Sequence, residues 1–300
     1  MSGRRLPGYD GGMATSSALE REEYVEQAYF FRVLRERMAG QMAAQDILGR
    51  LHEEMLSTTR LPYAIQFLSA ELKHTGLLSS GFSRLPHYFT PFQAFVVGRT
   101  EQEGLRFNVE TALLVLEREA QYRAGEPTPP GLFVYQFETL CRNRLGYDRG
   151  LVSMAGDPFY DRHWKEYIDL VRLQAGAVDF ADLVYVRSAW YVIEKRRQQP
   201  DYEPPVPALF GEKEGKIAKA SYGRDPLFLF GALQRQLGYP EVPRARPRDD
   251  LPALVEALKT KLHQMEQRLM LLESEVRGQI DLSQFGKPEL LKGSADDEAI

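Results

Sequence analysis

Between Leu251 and Val276 the apolar residues recur in a strict heptad. Leu251, Val255, Leu258, Leu262, Met265, Leu269, Leu272 and Val276 alternate between d and a positions, with no polar residue in the seam. An apolar repeat of 3.5 residues is what winds helices around one another. The flanks agree with this. Lys261 and Arg268 fall at g, and Glu266 and Glu273 fall at the e positions five residues later, so a parallel pair joins opposite charges across the seam. The stretch is expected to be a dimerising rod. Met270 and Leu271, at b and c, widen the stripe and leave open the alternative of a helix lying on its own body.

The remaining pattern predicts an all-α protein. A multi-helical body is expected in two halves, residues 18–124 and 131–240. Residues 250–278 then form the rod, between a disordered start (1–17) and a flexible tail (279–300). Ser17-Ala-Leu-Glu20 has capping-box spacing, and Tyr24, Ala28, Phe31 and Met38 follow at helical intervals up to Gly40. Further helices are expected at about Ala43–Leu56 and Leu61–His74, the latter closed by Gly76. Leu77–Tyr88 mixes Gly, Ser and Pro with Leu, Phe and Tyr, as in a loop packed on the body. Thr90-Pro91-Phe92-Gln93 marks a helix start, and Asn108–Arg123 follows as another helix.

Gly125–Gly131, with three prolines and two glycines, is the expected boundary between the halves. Beyond it Leu132–Leu145 reads as a helix ended by Gly146. Asp157-Pro158 and Asp225-Pro226 each place a capping carboxylate before a first-turn proline. Asp179 caps a helix over Phe180–Gln198, despite the β-rich run Leu183–Ile193. Pro200–Pro207 and Pro240–Pro247 are proline-rich connectors.

Composition narrows the function classes. A net charge of −4 argues against whole-surface attraction to nucleic acid or anionic lipid. A single cysteine, Cys141, excludes an internal disulfide framework and a cysteine-rich zinc site, and suits a reduced, cytoplasmic setting. No run of about 18 apolar residues is present, so no membrane span is expected. The start lacks an apolar stretch of the secretory kind.

Few stretches have the spacing of a catalytic or ligand-binding motif. Glu71-Leu-Lys-His74 has the Glu-x-x-His spacing of di-iron bundles, but none of the other histidines (His52, His87, His163, His263) has Glu three positions before it. Asp157, Asp161 and His163 lie close together beside Trp164 and carry oxygen and nitrogen donors. Each also has a structural reading: Asp157 as a helix cap, Asp161 in a first turn, His163 on the surface. Gly211–Ile217 departs from a phosphate loop in glycine spacing and in lacking the hydroxyl, and reads as a charged surface turn. No cofactor is implied. Arg142 and Arg144 beside Cys141 could lower its pKa, although a helical cysteine usually packs as a small hydrophobe. Lys195–Arg197 and Arg244–Arg248 are basic runs without interleaved aromatics, which argues against nucleic acid.

The leading expectation is therefore a non-catalytic interaction or scaffold protein, paired with itself through the rod and with an unidentified protein. Leu282 and Phe285, in the apolar stretch of the tail, are the expected partner anchors. The alternative is an α-helical metal-binding protein or enzyme using Glu71 and His74, or Asp157, Asp161 and His163.

Overall fold

The computed structural model describes residues 19–102, 107–245 and 251–276. Among these the regular elements are fourteen helices and no strand. The chain divides into two units, one through Arg246 and one from Pro247.

The first unit opens with α1 (Arg21–Ala39), whose buried Gln27, Phe30, Phe31 and Leu34 repeat at helical spacing. The helix begins after the extended Leu19 and Glu20, with Glu20 as a cap that makes no side-chain bond, and the expected cap Ser17 lies outside the described residues. Next comes α2 (Ala44–Leu51), which stops short of the expected Leu56. There the Leu56 amide donates to the Glu26 carboxylate at 2.9 Å, a bond that ties the turn to α1. α3 (Leu61–Thr75) ends as expected at left-handed Gly76.

The stretch read as a loop contains α4 (Leu78–Arg84). Leu78 and Phe82, one turn apart, are buried. Gly81 lets the helix rest on α3, where a β-carbon would come within 2.6 Å of Leu68 Cδ2. α5 (Pro91–Thr100) begins with the expected capping box: Thr90 Oγ1 accepts from the Gln93 amide, and Gln93 Oε1 accepts from the Thr90 amide. α6 (Val109–Ala124) is capped by Asn108 and lies along α1.

α7 (Pro129–Asn143) starts inside the expected boundary, because Thr128 caps it and Pro129 and Pro130 occupy a first turn whose amides need no helical partner. It is followed by α8 (Tyr147–Ala155) and α9 (Arg162–Gln174). The helix predicted from Asp157 does not begin there. Asp161 caps α9 instead, accepting from the Trp164 amide at 2.9 Å.

The single helix predicted over Phe180–Gln198 is two, α10 (Phe180–Val186) and α11 (Ala189–Gln198). The break lies at Arg187 and Ser188, where Ala189 N donates to Phe210 O and Leu209 N to Arg187 O, a short extended pairing within the β-rich run. The predicted surface turn at Gly211–Ile217 opens α12 (Glu212–Ser221). Gly215 is buried there, and a β-carbon on it would lie 2.2 Å from Ser188 Oγ. α13 (Pro226–Leu237) carries the expected Asp225 cap and ends at left-handed Gly238.

One apolar core runs from Ala28 to Val242, with residues on both sides of Gly125–Gly131. The chain beyond α13 belongs to it. Tyr239 donates to Glu138 Oε2 at 2.7 Å, and Asn143 bonds both Pro243 O and Ala245 N. The second unit is described as α14 (Leu251–Val276), 26 residues long. Among the described residues no helix is long and apolar enough to cross a membrane.

The Thr90 cap is a local bond with no substitute nearby. Replacing Thr90 with Ala should cost about 1 kcal/mol and lower the melting midpoint by roughly 2–4 °C, read by circular dichroism.

Candidate functional site

The acids and histidines nominated from sequence do not converge. Glu71 is buried on α3, accepting from Ser80 Oγ at 2.8 Å and Arg84 Nη1 at 2.7 Å. Those two bonds, Arg84's first, hold its carboxyl below the ordinary range. His74, one turn on, is exposed. Asp161 is occupied as the α9 cap, and His163 is on the surface with Nδ1 3.9 Å from Glu166 Oε2. Among the described residues no three His, Cys, Asp or Glu side chains are grouped to hold a metal ion.

Two other readings change once the neighbours are placed. Burial pushes the Cys141 thiol up to about 11 rather than down. The Arg142 beside it is spent on the Glu138 carboxylate. The basic run Lys195–Arg197 does have aromatic neighbours on its own helix: the Arg197 guanidinium lies 5.2 Å from the Trp190 ring centroid, and Lys195 lies 5.5 Å from that of Tyr191. Lys216 of α12 covers Trp190 as well, at 4.3 Å. The tryptophan is thus engaged by the protein's own cations. Arg246 and Arg248 of the second run lie outside the described residues. Of the aromatic clusters, Phe82, Tyr88, Phe89, Phe92 and Phe230 are core, and Phe228 is 70% exposed.

Asp157 belongs to a different constellation, which sequence reasoning missed. It is fully buried and pairs with Arg123 Nη2, while its Oδ1 accepts from the Phe159 amide at 2.9 Å. The Arg123 guanidinium also donates to Glu119 Oε1 from Nε at 3.1 Å and Nη2 at 2.8 Å. Gln136 donates to the same oxygen at 2.8 Å, and the Tyr160 hydroxyl donates in turn to Gln136. The rings of Tyr24 and Phe159 each lie 5.8 Å from the guanidinium. Residues of α1, α6, α7 and the α8–α9 turn thereby meet at one cation.

The charge balance of this cluster is unequal, with two carboxyl groups on one guanidinium. Burial alone would lower the Arg123 pKa, but Asp157 and Glu119 outweigh it and keep the guanidinium charged. Burial pushes the Glu119 carboxyl above its ordinary 4.5, against the pull of Arg123. Glu119 Oε2 has no hydrogen-bond partner. Apart from the half-buried Phe159, the cluster's members are closed in the core. It holds helices together.

α14 presents a surface of another kind. Val255, Leu258, Leu262, Met265, Leu269 and Leu272, all seam positions, are exposed, and Met270 beside them is 74% exposed. The side chains of Leu251 and Val276, like Leu282 and Phe285 of the tail, lie outside those described. Within the helix Lys259 pairs with Glu256 at 3.7 Å, and His263 lies 3.7 Å from Glu266. Apolar residues exposed in a continuous helical row mark a surface that another element can cover. Comparison with protein-family models, curated proteins and solved structures finds no match to this chain.

Two substitutions test the buried cluster. Arg123→Met strands two buried carboxyl groups and should cost roughly 3–5 kcal/mol in urea unfolding. Glu119 has a raised folded pKa, so its protonation supports the fold below 4.5, and that support is lost as pH rises through the folded value. Glu119→Gln keeps the accepting oxygen without the ionisation. Its stability relative to wild type should therefore improve as pH rises above 4.5, and level off once the folded pKa of Glu119 is passed. A constant difference from pH 4 to pH 8 would show that Glu119 does not titrate with folding.

Proposed function

We propose that this is a non-catalytic interaction protein that pairs with itself through α14 as a parallel two-stranded coiled coil. One observation carries the reading: the seam residues Val255, Leu258, Leu262, Met265, Leu269 and Leu272 are exposed along one helix. A rod of 26 residues extends about 40 Å at 1.5 Å per residue, and each d or a side chain would insert between four residues of its partner. The g and e charges, Lys261 and Arg268 against Glu266 and Glu273, complement each other in the parallel register. The nominated catalytic residues are engaged elsewhere or lie apart, which lends nothing to the enzyme reading. A reduced, cytoplasmic setting belongs to the same proposal and rests on the single cysteine.

Light scattering of the full chain should give a dimer at micromolar concentration. Leu262→Asp, at an a position, should make it monomeric, as should ending the chain after Asp250, with the melting of the helical body unchanged. A monomeric wild-type protein sinks the proposal.

The partner side of the reading places the anchor at Leu282 and Phe285, in an apolar stretch before the acidic end Asp296-Asp297-Glu298. Phe285→Ala should abolish capture of the partner in affinity purification while leaving both the dimer and the melting midpoint as they are. A melting midpoint lowered by several degrees, with capture intact, would assign the segment to the fold.

A further inference from the structure

A cleft of about 580 Å3 opens between α4 and α5, with Arg149 of α8 at its edge. Its volume falls in the range of small-ligand sites. Leu77, Phe82, Pro86, Phe89, Ala94 and Phe95 make much of its wall. Among the described residues the single carboxylate there, Glu101, is already used: its oxygens accept from Leu78 N at 2.6 Å, Ser79 N at 3.1 Å and Ser79 Oγ. Those bonds satisfy the opening amides of α4 and leave the acid little capacity for a ligand.

The cations of the cleft stand differently. Arg84, next in sequence to Ser83 of the wall, is paired with Glu71. Among the described residues Arg99 and Arg149 have no carboxylate within 4.0 Å. Arg99 is half-buried at the end of α5, its guanidinium 5.8 Å from the Phe95 ring centroid. One of its donors, Nη1, serves Gln102, but its Nε is shut from solvent with no acceptor. The guanidinium donors that Gln102 does not take up are free to hold an anion in the cleft.

We propose that the cleft binds a small amphipathic organic anion. Its carboxylate, sulfonate or phosphate sits between Arg99 and Arg149, and an aromatic or aliphatic body lies on the wall formed by Leu77, Pro86, Ala94 and Phe95. The two features select together. The wall alone would take any apolar molecule and the arginines alone any anion, but a cleft of this size fills only when one molecule supplies both.

The probe is 1-anilinonaphthalene-8-sulfonate, and its control is the uncharged N-phenyl-1-naphthylamine, each titrated into the full-length protein. The sulfonate should bind wild type at least ~10-fold more tightly than the amine, and higher salt should narrow that gap. Arg99→Gln combined with Arg149→Gln should weaken the sulfonate ~10-fold or more and leave the amine unchanged. Ala94→Phe, which fills the cleft from α5, should weaken both at an unchanged melting midpoint. Should the double variant not fold, Arg149→Gln alone, at an exposed site, must still weaken the sulfonate measurably. Equal affinity of wild type and the arginine variants for the sulfonate overturns the proposal. So does an unchanged response in Ala94→Phe, which would locate the probe elsewhere.

Discussion

The guanidinium of Arg123 is the group on which the packing of the first unit most depends. A charged side chain with 1% of its surface exposed is tolerated only where acids and dipoles surround it. Here those come from different parts of the chain: Glu119 from the same helix, Asp157 from the α8–α9 turn, Gln136 indirectly from α7. Moving any one of these elements by an ångström strands a buried charge. The cluster thus converts a general preference for burial into one specific arrangement of α6, α7 and the turn before α9. Apolar side chains alone would allow neighbouring registers at smaller cost.

The same device recurs at the edge of the core. Glu23 and Glu26 of α1 face inward, and each takes backbone amides from the connection between α2 and α3: Arg60 N for Glu23 and Leu56 N for Glu26. Glu23 also accepts from the Tyr88 hydroxyl at 2.8 Å, while Gln27 and Gln93 bond side chain to side chain. Burial and the Glu23 carboxylate both raise the Tyr88 pKa, so this phenol stays a donor across the physiological range. Buried acids in clefts often mark catalysis. Here Glu23, Glu26 and Asp157 accept from amides, an arginine and a tyrosine that the fold itself supplies.

What could be read from the sequence follows the range of the interaction concerned. Thr90 with Gln93, Asp179 and Asp225 cap helices within three residues of themselves, and all were legible. Asp157-Pro158 has the same local appearance, yet its carboxylate is claimed by Arg123, 34 residues earlier. No spacing rule announces that partner. α4 escaped detection for a different reason: a helix of 7 residues holds only one repeat of the apolar pattern, and Ser and Gly between Leu78 and Phe82 resemble a loop. The break between α10 and α11 was half visible, since the β-rich run that looked out of place in a helix is where Ser188 meets Phe210.

The α14 stripe and the cleft between α4 and α5 differ in legibility for the same physical reason. The α14 stripe is periodic along one helix, so its whole geometry is contained in residue spacing and needs no tertiary knowledge. The cleft between α4 and α5 has no periodicity to read. Its arginines come from the end of α5 and the first turn of α8, its wall from a helix the pattern did not show, and its one acid is silenced by backbone amides. Even the aromatic residues Phe82, Phe89 and Phe95, conspicuous as a crowd in the sequence, could equally have been interior throughout. Only placement shows that Phe82 and Phe89 are core residues, whereas Phe95 is half-exposed beside Arg99 at the cleft. A charged group becomes informative about ligands when its alternatives inside the fold have been exhausted. That accounting requires every neighbouring acid to be placed first.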